Sequence, residues 1–253
     1  MGVLKGKTAL VTGGSRGIGR AVAQRLARDG ALVAVHYGHD RAAAEETVAA
    51  IGAAGGTAFP VRAELGVPGD AQALWAAYEA HPLATEHVDV LVNNAGGAAF
   101  AGIAETDEET FGRIQDLNAR APFFVIQHGL ARLRDGGRIV NVTGTPHLAL
   151  PAILATVMAK GAVNALTVSL AAELAPRAIT VNSVGPGITE TDLNAALLSD
   201  PATREHLAAR SVFRRVGTAE EVADVVAFLA SPDSRWVTGQ HLDATGGLQL
   251  SLV

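Results

Sequence analysis

The chain has 253 residues, 49% of them apolar and 18% charged, enough for one large α/β unit with a sizeable buried core. A net charge of −5 spread along the chain, with no basic stretch, gives no footprint for nucleic acid. The absence of cysteine excludes disulfides, thiolate metal sites and a cysteine nucleophile, and no other metal site is expected. No uninterrupted apolar run of about 18 residues, secretory leader or lipidation motif is visible, so the expectation is a cytoplasmic protein without a membrane partner.

Residues 8–11 form a short apolar run, β-branched at both ends, that leads straight into Thr12-Gly13-Gly14-Ser15-Arg16-Gly17-Ile18-Gly19. An amphipathic helix is predicted to follow to residue 29. In a strand, glycine turn and helix, the glycines let backbone approach a phosphate. The helix N-terminus adds free N–H groups and partial positive charge. Residues 31–37 read as a buried second strand closing in His36-Tyr37-Gly38-His39. An acid at the end of this strand would favour NAD(H) by holding the adenosine ribose. Here Asp40 comes late and reads as the N-cap of a helix over 41–54, whereas Arg16 in the glycine loop can reach a 2′-phosphate. NADP(H) is therefore favoured over NAD(H).

A third strand at 57–62, followed by Ala63-Glu64-Leu65, leads to a helix over 69–80 and a fourth strand at 88–92 ending in Asn93-Asn94-Ala95-Gly96. Small residues there keep the wall of a cofactor cleft open. A helix is predicted from residue 106 to 134, acidic in its first turn, bent at Pro122 and stopped by Gly136-Gly137. Strand five follows at 138–142, then a long helix from 152 to just before Pro176 and strand six at 179–184, broken by Gly185-Pro186-Gly187. Thr218-Ala219-Glu220-Glu221 is a capping box for a helix to 230, and 240–243 is a last short strand. This alternation, without repeats or linkers, predicts α/β architecture: a single-domain Rossmann-type doubly wound parallel sheet over residues 1–253, of about seven strands with helices on both faces.

Thr12-Gly-x-x-x-Gly-x-Gly19, Asn93-Asn-Ala-Gly96, Pro186-Gly187 and Asp243-Ala-Thr-Gly-Gly247 together resemble the short-chain dehydrogenase/reductase family over essentially the whole chain. The resemblance implies NAD(P) binding, hydride transfer to or from a carbonyl, and dimers or tetramers. It assigns Gly13, Ser15, Arg16, Ile18 and Gly19 to the pyrophosphate and ribose, and Asn93, Ala95 and Gly96 to the adenosine side. It also assigns Pro186, Gly187, Thr189 and Thr191 to the nicotinamide amide, and Lys160 to the nicotinamide ribose. His36, Tyr37, Glu64 and Leu65 complete the expected cofactor set, Glu64 standing where the family usually has Asp against the adenine.

The family's catalytic Asn, Ser, Tyr and Lys map onto Asn118, Thr143, Thr156 and Lys160, so this chain departs from the pattern at two positions. Lys160 also stands out in composition: the chain has 17 Arg and only three Lys, the others being Lys5 and Lys7. Reducing a carbonyl requires a proton for the developing alkoxide. A phenol of pKa ~10 beside a lysine ammonium supplies it well. An aliphatic alcohol is a far weaker acid, and losing a positioned general acid typically costs ~10²–10⁴ in rate. The remaining tyrosines are Tyr37, at the ribose end, and Tyr78, on a helix before strand four.

Three readings follow. The chain is a reductase whose proton comes from His147 or from a water held by Thr156 and Lys160; or an enzyme of cyclisation, dehydration or rearrangement with a structural cofactor; or a non-catalytic NADP(H)-binding protein. Segments 97–102 and 146–154 are small and apolar, with Phe100, Leu148, Leu150, Ile153 and Leu154, which suits a hydrophobic cyclic or aromatic small-molecule substrate. Arg204, Arg210, Arg214 and Arg215 read as an acid-binding cluster or a solvated helix face. The resemblance makes the Ala-rich helices over 106–134 and 152–175 the expected homodimer or homotetramer surface.

Overall fold

Seven short strands, most of them dense in valine, isoleucine and leucine, pair in parallel in the order β3-β2-β1-β4-β5-β6-β7. They are β1 (Thr8–Val11), β2 (Leu32–Tyr37), β3 (Thr57–Arg62), β4 (Val88–Asn93), β5 (Leu133–Val142), β6 (Thr180–Pro186) and β7 (His241–Ala244). The computed structural model describes residues 2–145, 150, 152–248 and 250. The strand order reverses between β1 and β4, and the crevice beyond the carboxyl ends of strands at such a switch point is where open α/β sheets bind ligands.

The period of two along each strand divides the core between the faces. Ala9, Val11, Val33, Val35, Val90 and Val92 point to one side. There they meet α1 (Gly17–Arg28), α2 (Arg41–Ala53) and, from much later in the chain, α9 (Ala219–Ala230). Leu10, Ala34, Leu91, Ile139 and Val181 point to the other. They pack under α3 (Asp70–Glu79), α5 (Ala121–Gly129) and α6 (Leu154–Leu174). The remaining α-helices among the described residues are α4 (Glu108–Gln115), α7 (Ala195–Leu198) and α8 (Pro201–Ala209). Asp40 caps α2 through the Ala43 N–H, and the capping box opening α9 forms as expected.

Three elements differ from the sequence reading. The helix expected over 106–134 is two helices, α4 and α5, joined by a π-turn at Asp116–Arg120 where the Ala121 N–H bonds the Asp116 carbonyl, five residues back. Pro122, which cannot donate, sits in the first turn of α5. α5 ends at Gly129, whose Cβ, if present, would lie 2.3 Å from Trp75 Cζ2; strand five then begins at Leu133 and absorbs Gly136-Gly137 through a register irregularity opposite Val88/Val90. β6 runs on through Gly185 and Pro186, because beyond Val184 its only sheet neighbour is β7, and an edge tolerates proline.

Among the described residues one helical stretch, Leu154–Arg177, is long and apolar enough to cross a membrane by length and composition. Lys160 and Glu173 interrupt its apolar run. Its residues Leu170, Ala171 and Leu174 pack into the sheet's core, the position of a core helix.

Candidate active site

The switch point is stitched by one hydroxyl and one amide. Thr12 Oγ1 accepts the N–H groups of Asn94 (2.9 Å) and Ala95 (3.0 Å) and donates to the Val92 carbonyl. Asn94 Nδ2 donates to the Thr12 and Gly13 carbonyls at 3.0 and 3.1 Å. Neither Thr12 nor Asn94 was singled out among the expected site residues; the only signal in the sequence is their place inside the two glycine motifs. Gly19 has to be glycine here, since a Cβ would lie 2.0 Å from the Gly13 carbonyl oxygen. The loop thus folds flat onto the start of α1, leaving the amide-lined floor that a pyrophosphate needs. Ser15 is buried and Ile18 half-buried in this turn.

Some expected cofactor contacts look elsewhere. His36 is buried beneath the loop: its Nδ1 accepts the Gly13 N–H at 3.0 Å and its Nε2 meets the Ala63 carbonyl at 2.9 Å. Both ring nitrogens are committed to backbone, so His36 supports the glycine loop rather than reaching a ribose. Burial pushes its pKa down to about 4, against the Ala63 contact. Tyr37 is also buried. The Asn93 side chain also turns inward: its Nδ2 donates to Asn141 Oδ1 at 2.9 Å, and Asn141 continues to Thr167, so that only the Asn93 backbone is left to line the cleft. At the rim, Arg16 pairs loosely with Asp40 (3.7 Å) and Glu64 faces His39 (3.6 Å), while Leu65 is half-buried.

On the other side of the cleft, Gly187 and Pro186 follow β6. The Thr189 hydroxyl donates to the Gly187 carbonyl (3.0 Å), and Thr191 lies against Gly17, whose Cβ would sit 3.4 Å away. Arg204 pairs with Glu190 and Arg215 with Glu221, so these two guanidinium groups are neutralised within the segment.

Asn118 and Lys160 meet at Gly96: a Cβ there would lie 2.6 Å from Asn118 Oδ1 and 3.1 Å from Lys160 Nζ, so only glycine lets both reach the cleft wall. The π-turn positions Asn118 with its Nδ2 on the Ile114 carbonyl and its Oδ1 accepting the Gly97 N–H. Lys160 Nζ donates to the Val142 carbonyl at 3.0 Å, and among the described residues it forms no salt bridge. Desolvation without a countercharge holds its pKa down to about 8. Thr143 is buried, its hydroxyl making long contacts to the Val184 and Gly144 carbonyls. Thr156 is buried one turn before Lys160 and its Oγ1 accepts the Ala99 N–H at 3.3 Å. His147 lies outside the described residues. Neither phenol joins this cluster through a hydrogen bond: Tyr78 is held in the core by Thr85, and Tyr37 closes β2. No group of three or more His, Cys, Asp or Glu among the described residues is placed to hold a metal ion.

A dinucleotide fits these residues. The cradle at Gly19 would be filled by any Cβ, and the half-buried Lys160 ammonium, without a salt-bridge partner among the described residues, stands beside Gly96. The chain matches the family model described as enoyl-(acyl carrier protein) reductase over residues 13–249. It is 41% identical over 251 residues to an uncharacterized oxidoreductase of Methylorubrum extorquens, covering 98% of this chain and 100% of that one. It is 35% identical over 261 residues to versicolorin reductase 1 of Aspergillus parasiticus, covering 96% and 97%. Among solved structures, angucycline C-6 ketoreductase LanV with bound NADP superposes with a TM-score of 0.94 at 47% identity over 98% of each chain. The reductase LugOII, which catalyses keto-reduction at C1 in lugdunomycin biosynthesis, gives 0.93 at 48% identity over 97% of this chain and 98% of that one. With this fold, these motifs and these relatives, the chain belongs to the short-chain dehydrogenase/reductase family of oxidoreductases.

Proposed function

We propose that the chain is an NADP(H)-dependent ketoreductase acting on a hydrophobic, polycyclic aromatic carbonyl compound, with a proton donor other than tyrosine. The observation that carries this is the meeting of Lys160 and Asn118 at Gly96, in line with an intact glycine cradle. The names of its relatives, an angucycline ketoreductase and a versicolorin reductase, supply the substrate class.

When bound, NADPH supplies the hydride that reduces the carbonyl carbon; the oxygen takes one proton, and the products are the alcohol and NADP⁺. The backbone from Gly13 to Gly19, with Ser15, Arg16 and Ile18, holds the pyrophosphate and ribose phosphate. Ala95 and Gly96 line the adenosine side, and Pro186, Gly187, Thr189 and Thr191 hold the amide end. Lys160 grips ribose hydroxyls through the donors not spent on Val142. Asn118 fixes the wall at Gly97, and Thr143 offers a hydroxyl to the substrate oxygen. Thr156 is in the place of the family's tyrosine and Thr143 in that of its serine. The proton then reaches the oxygen from His147 or from a water held between Thr156 and Lys160. Residues 1–253 act as one unit in the cytoplasm, and Phe111, Phe123, Met158 and Val168, exposed on α4–α6, are the expected homodimer or homotetramer surface.

Incubating the purified protein with NADPH and rabelomycin, which is bound together with NADP in a related ketoreductase structure, tests this. The expected result is stoichiometric loss of nicotinamide absorbance with a product two hydrogens heavier. A product of unchanged oxidation state, with the nicotinamide intact, would replace this reading with a non-redox one. Cofactor binding without turnover across a panel of aromatic ketones would leave a binding protein.

A further inference from the structure

The segment Gly97–Ala101, which follows the Asn93–Gly96 motif at the end of β4, lacks regular structure, yet its backbone is fastened three times along five residues. The Gly97 N–H donates to Asn118 Oδ1 at 3.2 Å, the Ala99 N–H donates to Thr156 Oγ1 at 3.3 Å, and Ala101 forms an isolated parallel bridge with Ile153. Ala99 also packs into a small apolar cluster with Ile114, Ala155 and Ala159. Alternation along the extended segment then turns the neighbouring side chain away from the helix: Phe100 is 63% exposed in a loop otherwise built of Gly and Ala.

We propose that Thr156 is a positioning residue that clamps this loop through the Ala99 amide, and so sets where Phe100 meets an aromatic substrate. This rests on the ketoreductase reading for the substrate, but the clamp itself does not. The physical argument is reach. A threonine oxygen is one bond from Cβ and can accept an N–H from a strand lying directly on the helix. A phenol carries its oxygen across a whole ring, past the backbone it would need to hold. Replacing tyrosine with threonine therefore removes an acid and adds a fastening. The half-buried Ala99 N–H is best satisfied by an acceptor, and Thr156 supplies one. A rigidly held Phe100 costs a planar substrate little ordering entropy when it stacks. The specificity this predicts is for fused aromatic ring systems over small ketones.

The test uses Thr156→Val, which keeps shape and loses the hydroxyl, and Thr156→Ser, which keeps the hydroxyl. Amide hydrogen exchange at Ala99 is measured on the protein with and without NADP⁺. The expected result is exchange about tenfold faster in Thr156→Val, an opening free-energy change of ~1.4 kcal/mol, and a rate within about twofold of the parent in Thr156→Ser. Equal exchange in Thr156→Val and the parent overturns the clamp. The ratio of KM for rabelomycin to KM for a two-ring ketone is expected to rise about tenfold in both Thr156→Val and Phe100→Ala. The double variant should be no worse than either single one, because both act on one contact. Full additivity overturns the link to Phe100. Exchange needs no turnover, so a protein inactive on every ketone would refute the ketoreductase reading while leaving the clamp decided.

Discussion

His36 makes the glycine loop sensitive to acid, and the size of the effect follows from its surroundings. Its pKa is held down to about 4, first by burial, against an ordinary value of 6.5. Between these limits the unfolded chain binds a proton that the folded chain refuses. Stability is therefore unaffected above pH 6.5, is lost as pH falls from 6.5 to 4, and levels off below. A gap of about 2.5 pH units at about 1.4 kcal/mol each amounts to roughly 3 kcal/mol, a large share of a typical folding free energy. Protonating Nδ1 also removes the acceptor of the Gly13 N–H, so the loop should loosen before the molecule unfolds. The measurement is urea denaturation at intervals from pH 7 to pH 4.5, comparing the parent with His36→Gln. Carboxylates titrate alike in both, so subtraction isolates the imidazole. The parent's stability should fall more steeply by roughly 2–3 kcal/mol across this range, and its NADP⁺ affinity should fall with it. Parallel pH profiles for the two proteins would refute the reasoning.

Three further outcomes are expected. Gly96→Ala places a Cβ 2.6 Å from Asn118 Oδ1 and 3.1 Å from Lys160 Nζ; steady-state kinetics should show kcat/KM lower by ~10² while the Tm moves by only a few degrees. Gly129→Ala drives a methyl into Trp75 at 2.3 Å and should cost ~1–3 kcal/mol in denaturation experiments with NADP⁺ affinity unchanged, since the damage lies under α5. Lys160→Met should abolish turnover yet stabilise the unliganded protein at pH 7 by up to ~2–3 kcal/mol, less about 1 for the bond to Val142. Because burial holds the Lys160 pKa down to about 8, the parent's penalty is complete below pH 8 and fades toward 10.5. The variant's advantage should shrink over that window in thermal melts.

The sheet was readable because parallel strands buried on both faces are written as unbroken β-branched runs, and the glycine loop because its spacing is a steric requirement that few sequences meet by chance. What the sequence concealed was direction. His36 and Asn93 both sit at strand ends next to the cleft, where an outward and an inward side chain look alike in one dimension; only the partners, the Gly13 N–H and Asn141, show that both turn inward. The π-turn before Pro122 was hidden for a related reason. Proline marks a break in the helical hydrogen bonds, but whether the chain kinks or inserts a residue depends on what must be presented, and here the extra residue aims Asn118. The end of α5 depended on Trp75, more than fifty residues away in sequence, fitting against Gly129.

Lys160 ties these observations together. A partly desolvated ammonium with no carboxylate partner among the described residues destabilises the fold at neutral pH, and a chain with 17 arginines and three lysines has not placed one there by default. An arginine fork would need more acceptors than the Val142 carbonyl offers, whereas a small ammonium keeps donors in hand for hydroxyl groups of a ligand. In the same crevice Thr156, which we propose stands in the place of the family's tyrosine, is an alcohol that accepts a backbone N–H. On that proposal the cation of the pattern is kept where the acid is not. A cation retained at that cost is explained by the ligand it grips, independently of the route by which the proton arrives.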